Sequence, residues 1–178
     1  NPDLNPQQAW VSEAAVERRF WGAGSIVLTA RHSALTDATD RAPIFQPDGS
    51  FFDAPFNIGN GTKDEYTAEL TLPLDKAGLK GAQLKGFVTR RYTEVTDPTT
   101  HAPREISNLR PIEWEAHYSQ PFPRWNANWG VDVVGACRQT FYRADAIEDQ
   151  KLKTYVTPYC EWKPRRDIQL HVEIQNIT

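Results

Sequence analysis

The chain has no run of apolar residues long enough to cross a membrane as a helix. It contains 178 residues, of which 39% are hydrophobic and 24% are charged, whereas a membrane helix needs roughly 18 or more consecutive apolar residues. A transmembrane β-strand is not excluded, because only every second residue of such a strand faces lipid. The length is enough for one domain or for a piece of a larger one.

The sequence also has little excess charge and no processing signal. Its formal net charge is -3 and its pI is about 5.8, which gives no basic patch of the size that would indicate a nucleic-acid partner. No signal peptide opens the chain and the first residue is Asn rather than Met, which predicts an excised or processed segment.

Motifs of enzymes and of metal sites are missing as well. No Walker, G-x-S-x-G or G-x-G-x-x-G loop occurs, and the four histidines lack metal-ligand spacing. These histidines are His32, His101, His117 and His171. The acidic residues Glu113, Glu115, Asp132 and Glu173 suit a hydrated polar surface, paired with Lys85, Arg91 and Arg138, better than a hydrolase site. The sequence therefore predicts a non-enzyme without a cofactor.

What the chain does have is alternation of apolar and polar residues, clearest over residues 112–138. Side chains of a strand point alternately to its two faces, so this stretch predicts a hairpin with a turn at 121–124. Its apolar members include Ile112, Trp114, Ala116, Tyr118, Trp129, Val131 and Val133, and its polar members include Glu113, Glu115, His117, Ser119 and Asp132. A sheet half in water gives the same alternation, although the length and the aromatic residues near the turn also suit a membrane-crossing strand.

The same pattern predicts about eight strands and an all-β fold. The predicted strands cover about 9–20, 25–36, 62–72, 82–96, 112–119, 125–138, 155–162 and 168–175. For the first of them an amphipathic helix is the alternative, because WVSEAAVERRF is rich in helix formers. The expected topology is an antiparallel up-and-down meander that is part of a β-barrel or closes into one. On strand eight, Leu170 and Val172 are expected on the apolar face, and His171 and Glu173 on the polar face.

Short turns and long loops alternate along this predicted meander, so all short turns fall at one end of the sheet and the long loops at the other. The two long loops are 37–61 and 97–111, and we expect them to be polar and mobile. Within the first, IFQPDGSFF predicts a small hairpin, and a third loop is expected at 142–151. Phe20, Trp21, Phe122, Trp125 and Trp162 lie beside the short turns, which suits either an interfacial aromatic girdle or the corners of a soluble core.

Four segments stand in order along the chain: NPDLNPQQAW, ERRFWGAGSIVLTA, NIGNGTKDEYTAELTLPLDKAGLKGAQL and EIQNIT. Together they resemble the C-terminal half of the barrel of TonB-dependent outer-membrane receptors. In that family an NPxLxPE-like segment opens a barrel strand, an N-x-G segment precedes a strand ending in LTxPL, and an xNLT-like segment lies shortly before the final strands. This chain departs from the pattern at Gln7 and Gln8, where an acidic residue is common, and at Asp64 and Glu65.

The resemblance implies that residues 1–178 are a barrel segment without the plug, the first barrel strands or the last strands. The parent would be an importer of a siderophore, cofactor or saccharide in the outer membrane of a Gram-negative cell. Its partners would be outer-membrane lipid and, through N-terminal parts, the TonB system. Ligand contacts are expected on or near the long loops, at Phe45, Phe51, Phe52, Tyr92 and Arg104, since aromatic rings and Arg suit a sugar or an aromatic chelate.

The alternative interpretation is a soluble eight-stranded barrel that binds a small apolar ligand, as lipocalin-like proteins do. The same alternation fits the membrane barrel and the soluble barrel. In the soluble barrel the apolar face turns inward, whereas in the membrane barrel it faces lipid. In water, the apolar face is expected to be covered by inward curling or by self-association, because an open edge and a bare apolar face promote association.

Cys137 and Cys160 are the only two cysteines, and both have the apolar parity of their predicted strands. A hairpin centred near residue 147 would bring them within about two residues of register, which is close enough for a disulfide to be considered. Two free thiols are the simpler expectation, because cross-strand bridges are strained.

Overall fold

The computed structural model describes residues 4–177, and 67% of the structure is β-strand. The strands are β1 Gln8–Phe20, β2 Gly24–Thr36, β3 Thr39–Phe45, β4 Phe51–Asn57, β5 Gly61–Pro73, β6 Gln83–Thr96, β7 Pro103–Arg104, β8 Ile112–Phe122, β9 Ala127–Val134, β10 Cys137–Tyr142, β11 Ile147–Leu152, β12 Tyr155–Arg165 and β13 Ile168–Glu173. Two single-turn 3-10 helices, Asp75–Ala77 and Pro123–Trp125, form short connections between strands.

One antiparallel sheet dominates the fold. Its strands follow the order β1-β2-β5-β6-β8-β9-β12-β13, and the two-residue strand β7 pairs with β6 beside this path. The predicted all-β meander of about eight strands is confirmed. Within the part of the chain that the structure describes, β1 and β13 do not pair with each other, so no closed barrel is formed.

The first strand settles the choice left open between strand and helix. Residues 8–20 form β1, with Trp10 opposite Ala34 and Val16 opposite Leu28. The helical alternative for this stretch is wrong, because pairing with β2 along all 13 residues outweighs its weak intrinsic helix preference.

The predicted division into two faces is confirmed by the strand register. One row of directly opposed residues runs Val16, Leu28, Ala68, Val88 and Trp114 across five strands. Directly opposed residues share a face, and continuing the pairing to β13 puts Trp114, Trp129, Val131, Leu170 and Val172 on one face. Glu113, Glu115, Asp132, His171 and Glu173 lie on the other. We call these the apolar face and the polar face.

The prediction for segment 37–61 needs correction. Strands β3 and β4 form a hairpin there, with Phe45 opposite Phe51, so most of the segment is regular structure rather than loop. A physical reason is that the Arg41 guanidinium pairs with Asp53 across the hairpin and that Ala38 and Ala42 are buried. The predicted placement of both long connections at one end is correct, because Leu35 pairs with Gly61, which pairs with Val95. Segment 97–111 contains only the short strand β7.

The predicted loop at 142–151 is also wrong, because most of it forms strands. A second separate hairpin forms from β10 and β11, with Phe141 opposite Glu148. The predicted strand 125–138 is interrupted at Gly135 and Ala136, where β9 ends and β10 begins. The turn at 143–146 is therefore the true centre of this excursion, about two residues before the predicted centre.

This shift overturns the predicted proximity of the two cysteines. Cys160 lies opposite Trp129 and Cys137 lies opposite Leu152, so the two thiols are eight residues out of register. That offset exceeds the two residues of register that were predicted. Both cysteines are free, and Cys160 is exposed.

Buried apolar side chains are few in residues 4–177, and all except Ala82 lie at one end of the sheet. Leu35, Ala38 and Val95 form a cluster, and Ile58 and Ile106 pack against it. This cluster lies at the end of the sheet where the long excursions emerge, which we call the long-loop end. The opposite, short-turn end carries the turns at 21–23, 74–82, 123–126 and 166–167. The rest of the molecule is a single layer of sheet, so large apolar residues of the apolar face remain exposed.

Candidate functional site

The most buried salt bridge in residues 4–177 lies at the long-loop end, around Arg104. The guanidinium donates from Nη1 to Asp40 Oδ2 at 2.7 Å and from Nε to Asp97 Oδ2 at 2.8 Å. It also stacks on the Tyr142 ring, 4.6 Å from the ring centroid. The side chains of Arg104 and Asp40 are only 6% and 5% exposed. We call these four residues the Arg104 cluster.

Burial and hydrogen bonding oppose each other at Asp97. Partial burial by itself raises the pKa of this carboxyl group, but the backbone N–H groups of Thr100 and Thr99 and the Arg104 guanidinium all donate to it. The hydrogen bonds prevail, so the pKa of Asp97 lies below its ordinary value. At Tyr142, burial is the largest cause of a raised pKa, and the charge of Glu105 adds to it.

The Arg104 cluster joins three separate excursions of the chain. Asp40 belongs to β3, Asp97 and Arg104 belong to segment 97–111, and Tyr142 ends β10. Backbone contacts reinforce the junction: Ser107 N donates to Asp40 Oδ2 at 2.9 Å, and Tyr142 N donates to Ser107 Oγ at 3.0 Å. The excursions at the long-loop end therefore form one connected cap.

The five predicted ligand contacts fall in three different places. Phe45, Phe51 and Phe52 come together at the tip of the β3–β4 hairpin and are 72%, 47% and 48% exposed. Tyr92 is exposed on the apolar face, where its ring contacts Tyr66 and the Arg90 guanidinium, the latter 4.8 Å away. Arg104 is buried in the cluster described above. The structure thus brings the three phenylalanines together and separates them from Tyr92 and Arg104.

Sequence reasoning missed a groove of about 750 Å³ between the main sheet and the β10–β11 hairpin. Trp114 and Leu152 contribute apolar surface to it, and Arg90, Arg138 and Lys151 contribute positive charge, with Glu105 opposing them. The groove lies beside the break between β9 and β10, where a Cβ atom on Gly135 would clash with the Trp114 indole. The Gly135-Ala136 pair after Val134 was the sequence signal for this break.

On the polar face, acidic and basic residues alternate across five strands. Glu13, Arg31, Glu65, Arg91 and Glu113 each come from the next strand of the sheet, and we call this row the ion ladder. Its contacts are Arg31–Glu13 at 2.5 Å, Arg31–Glu65 at 4.0 Å, Arg91–Glu65 at 2.8 Å and Arg91–Glu113 at 2.8 Å. The predicted partnership of Arg91 with a carboxylate is correct. Of the other two predicted cations, Arg138 pairs instead with Asp149, and Lys85 forms no salt bridge within residues 4–177.

The other half of the polar face, on β8, β9, β12 and β13, is acidic with two histidines. His117 lies 2.9 Å from Asp132 and 3.5 Å from Glu115, and His171 lies between Glu161 and Glu173. No group of three or more His, Cys, Asp or Glu side chains in the described residues has the geometry to hold a metal ion.

The chain matches no protein-family model, no curated protein and no solved structure. Across residues 4–177, no helix has the length and apolar character needed to span a membrane. The family resemblance carried by the four sequence segments therefore stays a prediction.

Proposed function

We propose that the chain is a barrel segment of an outer-membrane, TonB-dependent transporter that imports a siderophore, a cofactor or a saccharide. The observation that carries this proposal is the distribution of tryptophan. The chain has six tryptophans; Trp10, Trp114, Trp129 and Trp162 lie on the apolar face, and Trp21 and Trp125 lie in short turns. The described polar face contains none.

The apolar face supports the membrane placement because it is large and bare. Val16, Leu28, Val88, Leu170 and Val172 are between 44% and 69% exposed, and they span the sheet from β1 to β13. A soluble monomer rarely exposes a continuous apolar surface of this extent, since it promotes association in water. Lipid is a solvent in which this face would be stable as it stands.

The polar face also supports the placement of the sheet in a membrane. Residues of the ion ladder are charged and mutually compensated, which suits the hydrated interior of a transport barrel. In lipid, unscreened charges of this kind would cost several kcal/mol each. The two faces of the sheet therefore require two different solvents.

The long-loop end is the side on which we place ligand recognition. The Arg104 cluster makes the cap a connected structure, and the exposed rings of Phe45, Phe51 and Phe52 project at its hairpin tip. Exposed rings held by a connected scaffold suit stacking against a planar chelate or the apolar face of a sugar.

Two neighbouring positions of β2 test the assignment of the faces. Leu28 lies on the apolar face and Thr29 on the polar face. In a background with Cys137→Ser and Cys160→Ser, we would attach a nitroxide to Leu28→Cys or to Thr29→Cys and reconstitute each protein in lipid vesicles. The label at position 28 is expected to be accessible to oxygen, and the label at position 29 to a polar nickel complex.

Equal accessibility of both labels to the polar complex would contradict the proposal. A folded monomer in buffer without detergent, with the label at position 28 shielded from both reagents, would instead favour a soluble barrel that encloses its apolar face. The two labelled proteins control for each other, because they differ by one residue in position and share the same background.

A further inference from the structure

The groove between the main sheet and the β10–β11 hairpin opens on the apolar face, and we call it the hairpin groove. Its lining on the sheet side includes Arg90, Ile112 and Trp114. Arg90 lies opposite Ile112, and Trp114 lies opposite Val88 in the row that runs across the apolar face. Ile112 and Trp114 are two positions apart on β8, so these side chains share one face. The groove therefore belongs to the apolar face, although charged residues also line it.

A smaller depression lies next to the hairpin groove, and Trp114 lines both cavities. The depression has a volume of about 460 Å³. At its centre, Gly86 lies opposite Leu70 on one neighbouring strand and opposite Ala116 on the other. The missing side chain leaves a gap in this row, and a Cβ atom at Gly86 would lie 2.6 Å from Glu115 O. We call this cavity the Gly86 depression.

The Gly86 depression is lined on the apolar face by uncharged residues only. Ile26, Ala68 and Leu84 are among them. The charged residues of its lining belong by register to the polar face, and they are Glu69, Lys85 and Glu115. The depression thus offers contacts to hydrocarbon, whereas the hairpin groove offers contacts to charge.

We propose that the two cavities together bind one long-chain fatty acid. The carboxylate lies in the hairpin groove, and the hydrocarbon chain crosses Trp114 into the Gly86 depression. The inference goes beyond the proposed function, because this site lies on the apolar face and not at the exposed rings of the cap, where we place recognition of an imported compound.

Charge complementarity selects a ligand with one negative charge. Arg138 lines the hairpin groove but pairs with Asp149 at 2.6 Å. The other two cations of the lining, Arg90 and Lys151, form no salt bridge within residues 4–177, and neither does Glu105, the acidic residue of the lining. Two free cations and one free carboxylate leave an excess of one positive charge. The carboxylate of a fatty acid supplies the one negative charge that balances it.

Arg90 is the cation that we assign to the carboxylate of the ligand. It lies between Tyr66 and Ile112 on the neighbouring strands, and its guanidinium stacks on the Tyr92 ring, 4.8 Å from the ring centroid. Apolar and aromatic surroundings strengthen the attraction between a cation and an anion, because they exclude water. A guanidinium also donates two parallel hydrogen bonds to a carboxylate.

The two cavities are close enough for one ligand to occupy both. Val88 lines the Gly86 depression and lies two residues before Arg90 on β6, a rise of roughly 7 Å. Trp114 lies opposite Val88 and forms a wall of both cavities. A carboxylate held at Arg90 would therefore place a hydrocarbon chain on Trp114 and Val88. An inorganic anion would use the groove alone, and an uncharged chain would use the depression alone.

The test uses the full chain in phosphatidylcholine vesicles with two brominated probes, a long-chain fatty acid and its methyl ester. Bromine quenches tryptophan fluorescence at short range, and both probes enter the bilayer. Only the difference between the probes therefore reports on the carboxylate. At a pH at which the acid is ionised, we expect it to quench at about 10-fold lower concentration than the ester, because only the acid forms a charge-assisted pair.

Arg90→Gln should abolish the difference between acid and ester. Arg18→Gln is the matched control, because Arg18 lies opposite Ile26 on the apolar face but does not line the hairpin groove. In this control the difference should persist. Trp114→Phe should remove the quenching that is specific to the acid, because this ring lines both cavities.

A second pair of variants tests the hydrocarbon part of the site. Ala116→Leu should fill the Gly86 depression and lower the acid-specific quenching. Ala14→Leu adds the same bulk on β1, outside the depression, and should leave that quenching unchanged. A far-ultraviolet circular dichroism spectrum of each variant checks that the sheet is folded.

Four results would overturn the proposal. The first is equal quenching by acid and ester in the unaltered chain. The second is an equal loss of the difference in Arg18→Gln and Arg90→Gln, which would indicate general charge attraction. The third is acid-specific quenching that survives Trp114→Phe. The fourth is displacement of the acid by an equal amount of phosphatidylglycerol, which would assign the site to a phospholipid.

The outcomes also separate this inference from the proposed function. Equal quenching by the two probes would refute the fatty-acid site and leave the membrane placement intact, because both probes reach an apolar face that contacts lipid. Absence of quenching by either probe, in a protein that is folded, would refute both.

Discussion

Removing the Arg104 guanidinium is the perturbation with the largest expected effect on the cap. Arg104→Met keeps the aliphatic part of the side chain but leaves Asp40 without its cation in a site where the carboxylate side chain is 5% exposed. Breaking a buried ion pair by removing one partner costs about 3–5 kcal/mol. Asp97 is 18% exposed and keeps its backbone donors, so we expect the lower end, about 3 kcal/mol.

Hydrogen exchange localises this effect. The amides of Ser107 and Tyr142 donate within the junction, and a loss of about 3 kcal/mol corresponds to roughly 100-fold faster exchange of such amides. Amides in the pairing between β2 and β5 should keep their protection, because that pairing does not depend on the cap. The expected pattern is therefore a cap that opens on an intact sheet.

Arg19→Met is the matched control, since Arg19 pairs with Glu17 at 2.6 Å but is 79% exposed. An exposed pair of this kind contributes little to stability, because both partners remain solvated. If Arg104→Met changed exchange in the cap no more than Arg19→Met changes exchange in β1, the reasoning on burial would be refuted. A loss of protection spread equally over β2 and β5 would also refute it, because the cap would then not be a separate unit.

Three further predictions concern pH, a glycine and the thiols. The pKa of Asp97 is lowered in the folded protein, so its contribution to stability is complete above the unfolded pKa of about 3.9 and is lost as the pH falls through the folded pKa. Hydrogen exchange of the Thr99 and Thr100 amides should become faster in that pH range. An unchanged exchange rate would contradict their hydrogen bonds to Asp97. Gly135→Ala should displace the Trp114 ring and cost about 1–3 kcal/mol in denaturant unfolding, while an unchanged near-ultraviolet circular dichroism spectrum would contradict the close approach. Mild oxidation of the monomer should leave two free thiols by mass spectrometry, and an internal bridge would contradict the register of β9 and β12.

The faces of the sheet could be predicted because the information is local. Each residue from Ile112 to Tyr118 needs only its own polarity and its place in a two-residue period to be assigned to a face. The pairing of Trp114 with Val88 then follows from a simple meander with short turns. Neither step requires knowledge of contacts that are distant in the sequence.

The Arg104 cluster could not be predicted in this way. Arg104 and Asp40 are 64 residues apart, and nothing local distinguishes Arg104 from an exposed loop arginine. Arg104 was accordingly predicted to be a ligand contact. Pairing with two carboxylates and stacking on Tyr142 make its burial possible, and all three partners lie on segments predicted as loops or loop edges.

The β10–β11 hairpin was not predicted because its residues do not alternate between apolar and polar side chains. The cross-strand contacts that stabilise it are visible only in the structure. Arg138 pairs with Asp149 across the hairpin, and Thr140 donates to the same carboxylate at 2.8 Å. The side-chain hydrogen bonds from Thr140 and Arg138 are the largest causes that lower the pKa of Asp149, so this carboxylate is charged at neutral pH. These cross-strand contacts compensate for a hairpin that has little apolar surface to bury. A segment with charged cross-strand pairs and no alternation of apolar residues can therefore form strands. The two-residue period of apolar residues, which predicts the main sheet, does not predict such a segment.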